Sequence, residues 1–336
     1  MLVLANYIWR RKYNWHLDHF EPDCCVCKAD LINIAADVER EQKALVYIKI
    51  LLKLSKYDCV VVDGYISLWI YILLPAFKRN KTRLIMASQN YDFGSPGVRQ
   101  KFKIFLLTRI YDRSSVVVVP SNLTAKIFKS HFPLRVHRKI AVLHSAMNFE
   151  AIKDFMKFNP DDNGIPLAAG VSLRDYECLS AALKLLPSYA FHINTKFSLF
   201  EKYFSNLDRV HLLQHTETET LLEQIRVAEF IVIPLPRDEG TSGLRILFFA
   251  LELGKPIIIS KTDAITEYFG ADTPFLTYKP GVVCDLVDKI KLLKSNEGLK
   301  RSLSIKARNF AETKLLSSEH FRIFWESFVK GEHHES

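Results

Sequence analysis

The hydrophobic positions of this chain fall into short runs that recur along its length, separated by stretches of helical spacing. In the first half the runs Leu2–Ala5, Cys24–Lys28, Cys59–Asp63, Arg83–Ala87, Ser115–Pro120 and Ile140–His144 read as strands. Short, continuously apolar runs suit strands covered on both faces, and their alternation with helices is the signature of a parallel sheet. Residues 38–57 and 98–112 space their apolar side chains helically, with Lys or Arg on the other face. The turn formers of Asn159–Pro166, NPDDNGIP, interrupt the pattern. It restarts with strands at Leu167–Gly170, Ala190–Asn194, Val210–Leu213, Phe230–Leu235, Pro256–Ser260 and Pro274–Tyr278. The pattern predicts an α/β chain of two doubly wound, Rossmann-like domains facing across a cleft. The first spans residues 1–158, residues 159–166 link it to a second at 167–316, and 317–336 form a terminal helix and tail. In that tail Phe321, Phe324, Trp325 and Phe328 recur at helical spacing, so the segment must pack, either on its own domain or back on the first.

Composition narrows this picture in three ways. With 336 residues, 49% of them hydrophobic, the chain suits two ordinary domains, each with its own core, and not a disordered protein. Its longest apolar candidate for a spanning helix, residues 66–77, is short, contains Pro75 and runs into FKRNKTR. The leading MLVLANYIWRRK places apolar residues before basic ones, the reverse of a signal peptide, so a cytoplasmic location is expected.

The net charge of +9 is unevenly placed: residues 1–160 hold 25 Lys and Arg against 13 Asp and Glu, and the remainder 21 against 24. Lys78, Arg79, Lys81 and Arg83, then Arg99, Lys101, Lys103, Arg109 and Arg113, make the first half basic. Basic side chains beside exposed apolar ones would favour an anionic membrane surface, hence peripheral association at the inner face; a solvated helix face explains them equally well. Nucleic acid is not expected, since no binding motif accompanies the charge. Six scattered cysteines argue against a disulfide framework. His16, His19, Cys24 and Cys27 are zinc-ligand types, but only four residues separate the pairs, and DCCVCKA also reads as a buried strand.

The segment richest in chemistry is Glu229–Ser260, EFIVIPLPRDEGTSGLRILFFALELGKPIIIS. An interior strand leaves through Pro234 and Pro236 into a polar loop. Thr241, Ser242 and Gly243 then stand where a helix begins, followed by Gly254, Pro256 and another strand. A helix start offers unpaired N–H groups and the positive end of the helix dipole, which is an anion site. Arg174 follows the strand Leu167–Gly170, placing a forked cation at the carboxyl edge where open α/β sheets bind ligands. Lys196, after AFHIN, and Arg245, two residues past Gly243, are further cations for the same edge. Asn90 and Asp92 in SQNYDFGSPG, and Asp63 at the end of its strand, are candidates for orienting or deprotonating a hydroxyl, with Asp18, His16 and His19 as rivals.

The order of strand, acidic loop, small-residue turn, helix and GKPIIIS, together with GVSLRDYECLSAAL at Gly170–Leu183, resembles the donor half of family 4 glycosyltransferases. That likeness covers the second half well and the first only in outline. It implies the GT-B architecture, with a last helix that crosses back to the first domain. It implies a nucleotide-sugar donor whose diphosphate is held by Arg174, Thr241, Ser242 and Gly243; the family's usual lysine partner is missing at its expected spacing in Cys178–Leu183, and Lys196 and Arg245 are the replacements. Glu239 would contact the donor sugar or ribose, and Asp92 would act on the acceptor, a glycan or a lipid-linked sugar. The resemblance implies a hexosyl transfer with retention in glycan or polysaccharide synthesis, and no cofactor. No Asp-x-Asp occurs in the chain, so a metal-independent reaction is expected. The chain departs from the family at Phe249, where a glutamate commonly bonds the ribose, and Glu252 one turn later is the nearest substitute. A degenerate GT-B subunit supporting a partner, or a GT-B sugar-nucleotide epimerase, are the alternatives.

Overall fold

The computed structural model describes residues 2–5, 30–33, 57–63, 75, 81–87, 89, 97–144, 164–214, 218–236, 242–314 and 322–330. The chain divides into two compact units, Met1–Asn148 with Ser317–Ser336, and Phe149–Leu316.

The first unit is built on six parallel strands, β1 Leu2–Ala5, β2 Asp30–Asn33, β3 Cys59–Asp63, β4 Arg83–Ala87, β5 Val116–Val119 and β6 Ile140–Val142, in the order β2-β1-β3-β4-β5-β6. The expected strand at Cys24–Lys28 lies outside the described residues; the strand that pairs with β1 is Asp30–Asn33, with Leu2 opposite Asp30. Val60, Val61 and Val62 and their neighbours Leu84, Ile85 and Met86 are fully buried, as strands covered on both faces require. Helix α1, Val98–Arg113, turns Leu107, Ile110 and Tyr111 into that core. Ser121 caps α2, Asn122–His131, by accepting the Thr124 N–H at 3.0 Å. Short α3, Leu134–His137, starts after Pro133. Tyr111, Phe128 and Phe132 interlock, Tyr111 meeting Phe132 edge-on at 5.1 Å.

The aromatic tail belongs to this first unit. Phe324 and Phe328 are buried and meet edge-on at 5.8 Å, and the Arg83 Nη2 donates to the Phe328 carbonyl at 2.8 Å. Arg83, one of the expected membrane cations, therefore holds the tail. Lys78 and Arg79 lie outside the described residues, as do His16, His19, Cys24 and Cys27. Among the described residues no cluster could hold a metal ion, and no helix is long and apolar enough to cross a membrane.

The second unit alternates β7 Leu167–Ala169, α4 Tyr176–Lys184, β8 Phe191–Thr195, α5 Phe197–Phe204, β9 Val210–Gln214, α6 Thr218–Val227, β10 Ile231–Ile233, α7 Leu244–Glu252, β11 Ile257–Ser260, α8 Asp263–Phe269 and β12 Leu276–Tyr278, then ends in α9 Val283–Ser295 and α10 Glu297–Lys314. All six strands are parallel, in the order β12-β11-β10-β7-β8-β9. The direction of winding reverses between β7 and β10, and such a reversal splays the loops at the carboxyl edge apart and leaves a crevice.

At the opposite, amino edge Glu229 is buried and ion-paired to Lys294 at 2.5 Å and Lys300 at 2.7 Å, tying α9 and α10 to the start of β10. Burial pushes the Lys300 ammonium down, but its bonds to Glu229 and Glu297 outweigh this and hold it above its usual value. Glu229→Ala, which strips one buried carboxylate from two cations, should destabilise the second unit by about 3 kcal/mol in urea unfolding. Pairing that change with Lys300→Met should recover part of the loss; a single variant as stable as the parent would contradict this role.

Candidate functional site

The site grows from the carboxyl ends of β7, β8 and β10. After β7 the chain makes a tight reversal through Gly170, with φ of 132°, and Leu173, which takes the left-handed φ of 51° that side chains with a Cβ avoid. The reversal folds the Arg174 guanidinium back across the Gly170 backbone. A Cβ on residue 170 would stand 2.5 Å from Arg174 Nε and Nη2, so only glycine admits it. Arg174 Nε donates to the Ala169 carbonyl at 2.9 Å, and Nη1 donates to the carbonyls of Ser172 at 2.8 Å and Leu173 at 3.3 Å. Nη2 makes no hydrogen bond among the described residues, which leaves its two N–H groups available to a ligand.

A second layer fixes this loop. The Gly170 carbonyl accepts from the Tyr176 hydroxyl at 2.6 Å and from Thr195 Oγ1 at 2.9 Å, using both lone pairs. Tyr176 and Thr195 are fully buried, and burial pushes the Tyr176 phenol up, so it stays a donor at neutral pH. Asp175 caps α4 through the Cys178 N–H at 2.9 Å, while its own N–H donates to the Pro234 carbonyl at 3.0 Å. That bond ties the exit of β7 to the exit of β10 across the point where the winding reverses. The next residue, Leu235, donates its N–H to Ser260 Oγ at 2.7 Å, which pins the loop to β11 as well.

Gly243 caps α7 in the left-handed conformation, φ 86°, with no side-chain cap. A Cβ there would stand 2.9 Å from Leu235 Cδ2 and 3.1 Å from Ile233 Cγ2, so the helix start is pressed against the end of β10. Ser242 precedes it, partly buried, and Arg245 sits in the first helical turn. Burial, and then the charge of Arg174, lower the Arg245 guanidinium to about 10. Burial also lowers Arg174, with Tyr176 opposing. Both remain protonated at neutral pH. Two guanidinium groups beside a helix N-terminus make a positive site of the kind that binds anions.

The structure thus brings Arg174, Ser242, Gly243 and Arg245 to one edge of one unit. Lys196 is exposed just past β8, one strand over from β7. Thr241, Glu239 and Asp92 lie outside the described residues, as do Asn90, Asp18 and His215; of Asp63 only the backbone is described. Sequence reasoning missed Tyr176, Thr195 and Ser260, which touch backbone rather than ligand; a glycine directly after a strand was the available signal for the first two.

Glu252 does not replace the carboxylate missing at Phe249. Both residues are fully buried in α7, and Glu252 lies two turns or more from the Gly243 end. Neither Glu252 carboxyl oxygen has a hydrogen-bond partner among the described residues, and burial raises its pKa well above the carboxylate range. Burial among apolar neighbours therefore favours its protonated form. A cavity of about 370 Å³ lined by Glu229, Lys255, Lys300, Arg301 and Arg308 opens at the amino edge, away from this site. There Lys255 donates to the Ala228 carbonyl at 2.8 Å and Lys300 pairs with Glu229, so these groups serve the scaffold.

The protonation of Glu252 carries a sign. Its folded pKa exceeds its unfolded one, so the native state holds the extra proton and stability falls as pH rises above the unfolded carboxylate range. Glu252→Leu should therefore stabilise the second unit at pH 7 and much less at pH 4, each pH unit between the two pKa values counting for about 1.4 kcal/mol. Unfolding curves at the two pH values decide this; an equal gain at both would contradict it.

No protein-family model matches the chain, and no curated protein matches it in sequence. Solved structures do match in shape. Anabaena HepE in complex with UDP-glucose superposes with a TM-score of 0.67 at 12% identity, over 90% of this chain and 86% of HepE. A glycosyltransferase from Rickettsia africae gives 0.61 at 12% identity over 91% and 86%. Sucrose-phosphate synthase from Thermosynechococcus elongatus gives 0.61 at 12% over 89% and 82%. Two Rossmann-like units and this likeness over most of each chain agree with the architecture expected from the sequence: the chain has the GT-B fold.

Proposed function

We propose that the protein is a glycosyltransferase of the family 4 type, which binds a nucleotide-sugar at the edge where Arg174, Arg245 and the start of α7 meet. The observation that carries this reading is the pair of half-buried guanidinium groups, Arg174 fixed by backbone carbonyls, beside a helix N-terminus without a side-chain cap. When the bond from the sugar C1 to the diphosphate breaks, charge develops on the departing phosphate oxygen. Cations already fixed in place stabilise it without reorganising. Arg174, held by three backbone carbonyls, presents Nη2; Arg245, Lys196, Ser242 and Thr241 complete the donor set.

On the acceptor side Asp92 orients the attacking hydroxyl; the new C1–O bond forms on the face that the diphosphate leaves, and the hydroxyl proton passes to the departing phosphate oxygen. Glu239 positions the donor sugar. Transfer proceeds with retention and without a metal, to a glycan or lipid-linked acceptor of polysaccharide synthesis. The basic charge of the first half supports a location at the cytoplasmic face of an anionic membrane. HepE was captured with UDP, which makes UDP the first nucleotide to try.

A second reading, a non-catalytic GT-B subunit, is favoured by Phe249, whose buried ring stands where a ribose-binding carboxylate is expected. Titration calorimetry with UDP, GDP and ADP, followed by turnover of their sugars on glycan extracts, separates the two. Arg174→Ala and Arg245→Ala should each weaken diphosphate binding by tenfold or more, about 1.5–3 kcal/mol for a hydrogen bond to a charged group, and Lys196→Ala by less. Binding without turnover, or no binding of any nucleoside diphosphate, would support the subunit and refute the transferase.

A further inference from the structure

We infer that the outer face of α1 docks on an anionic lipid bilayer, an assignment that rests on the reading of a membrane-associated transferase and names the surface responsible. The helix turns Leu107, Ile110 and Tyr111 into the core, and on its other side Val98, Phe102 and Phe105 are 84%, 60% and 48% exposed. Their spacing of four and then three residues places them in one stripe along the helix. Leu134, at the start of α3, is 75% exposed. Arg135 of α3 grips Asp112 of α1 through Nε at 2.7 and 2.8 Å, so α3 is fastened to this helix.

The charge around the stripe decides what covers it. Residues 97–139 hold ten Lys and Arg against a single acid, Asp112. That acid is the one paired with Arg135, so its charge is neutralised locally. Arg99 and Lys101 are exposed beside Val98 and Phe102, and the Arg109 guanidinium lies 5.3 Å from the centre of the Phe105 ring. A second copy of this face would set Arg99, Lys101 and Arg109 against the same cations, which disfavours self-association. Exposed aromatics flanked by cations fit the interface of a bilayer carrying anionic headgroups, where the rings enter the acyl boundary and the cations stay at the headgroups.

Sedimentation of the full chain with vesicles of phosphatidylglycerol and phosphatidylcholine in equal parts tests this. The parent should bind these vesicles and not pure phosphatidylcholine. Phe102→Ser with Phe105→Ser should lower the partition coefficient by about tenfold or more, and Arg99→Ser with Lys101→Ser by about tenfold. Both pairs are exposed, so thermal unfolding and UDP binding should stay unchanged. Undiminished vesicle binding by both double variants would overturn the assignment to α1 while leaving membrane association standing. No binding by the parent would overturn both. A parent that is dimeric, ignores vesicles and becomes monomeric on the aromatic substitutions would show the stripe to be an interface between copies instead.

Discussion

The carboxyl edge of the second unit's sheet depends on one contact, the Arg174 guanidinium lying across Gly170. It exists because residue 170 has no Cβ, because Leu173 accepts a left-handed turn, and because the Gly170 carbonyl is held by Tyr176 and Thr195. Backbone strain of this kind persists only where the surroundings over-determine it. Here the surroundings are a buried phenol, a buried hydroxyl and three carbonyls. The result is a cation whose orientation is set before any ligand arrives.

The same device appears on the neighbouring strand in another form. Gly243 is required both by its positive φ and by the closeness of Leu235 and Ile233, so the α7 start is seated on the end of β10. The Asp175 N–H to Pro234 carbonyl bond joins the two loops, and Ser260 fastens the second to β11. Preorganisation therefore extends over four strand ends through backbone bonds. The helix behind the site is apolar throughout apart from Arg245 and Glu252. Phe249 fills core volume, and Glu252 survives there only by keeping its proton.

Much of this was legible in the sequence. The strands at Leu2–Ala5, Cys59–Asp63 and Arg83–Ala87 stand where apolar runs placed them, because a fully covered parallel strand has no polar positions to blur its ends. The strand at Asp30–Asn33 was not foreseen, because DLIN is short and opened by an aspartate and so gives a weak apolar signal. Arg174, Gly243 and Arg245 were found from their positions after strands and at a helix start. Tyr176 and Thr195 were not, since a hydroxyl aimed at backbone looks in sequence like any core tyrosine or strand threonine. Glu252 was misplaced for a related reason: one helical turn separates a ligand from a core residue only when the facing element is known. The terminal aromatics said that the tail must pack, and the structure shows it within the first unit, on Arg83.

The central claim is that the diphosphate-binding edge is set by the guanidinium seated on Gly170. Nucleotide titration of Gly170→Ala tests it most directly. The added Cβ meets Arg174 at 2.5 Å and must displace it. The account predicts that UDP affinity falls about as far as in Arg174→Ala, tenfold or more, while the second unit remains folded by circular dichroism. A folded Gly170→Ala protein that binds UDP as tightly as the parent would contradict it.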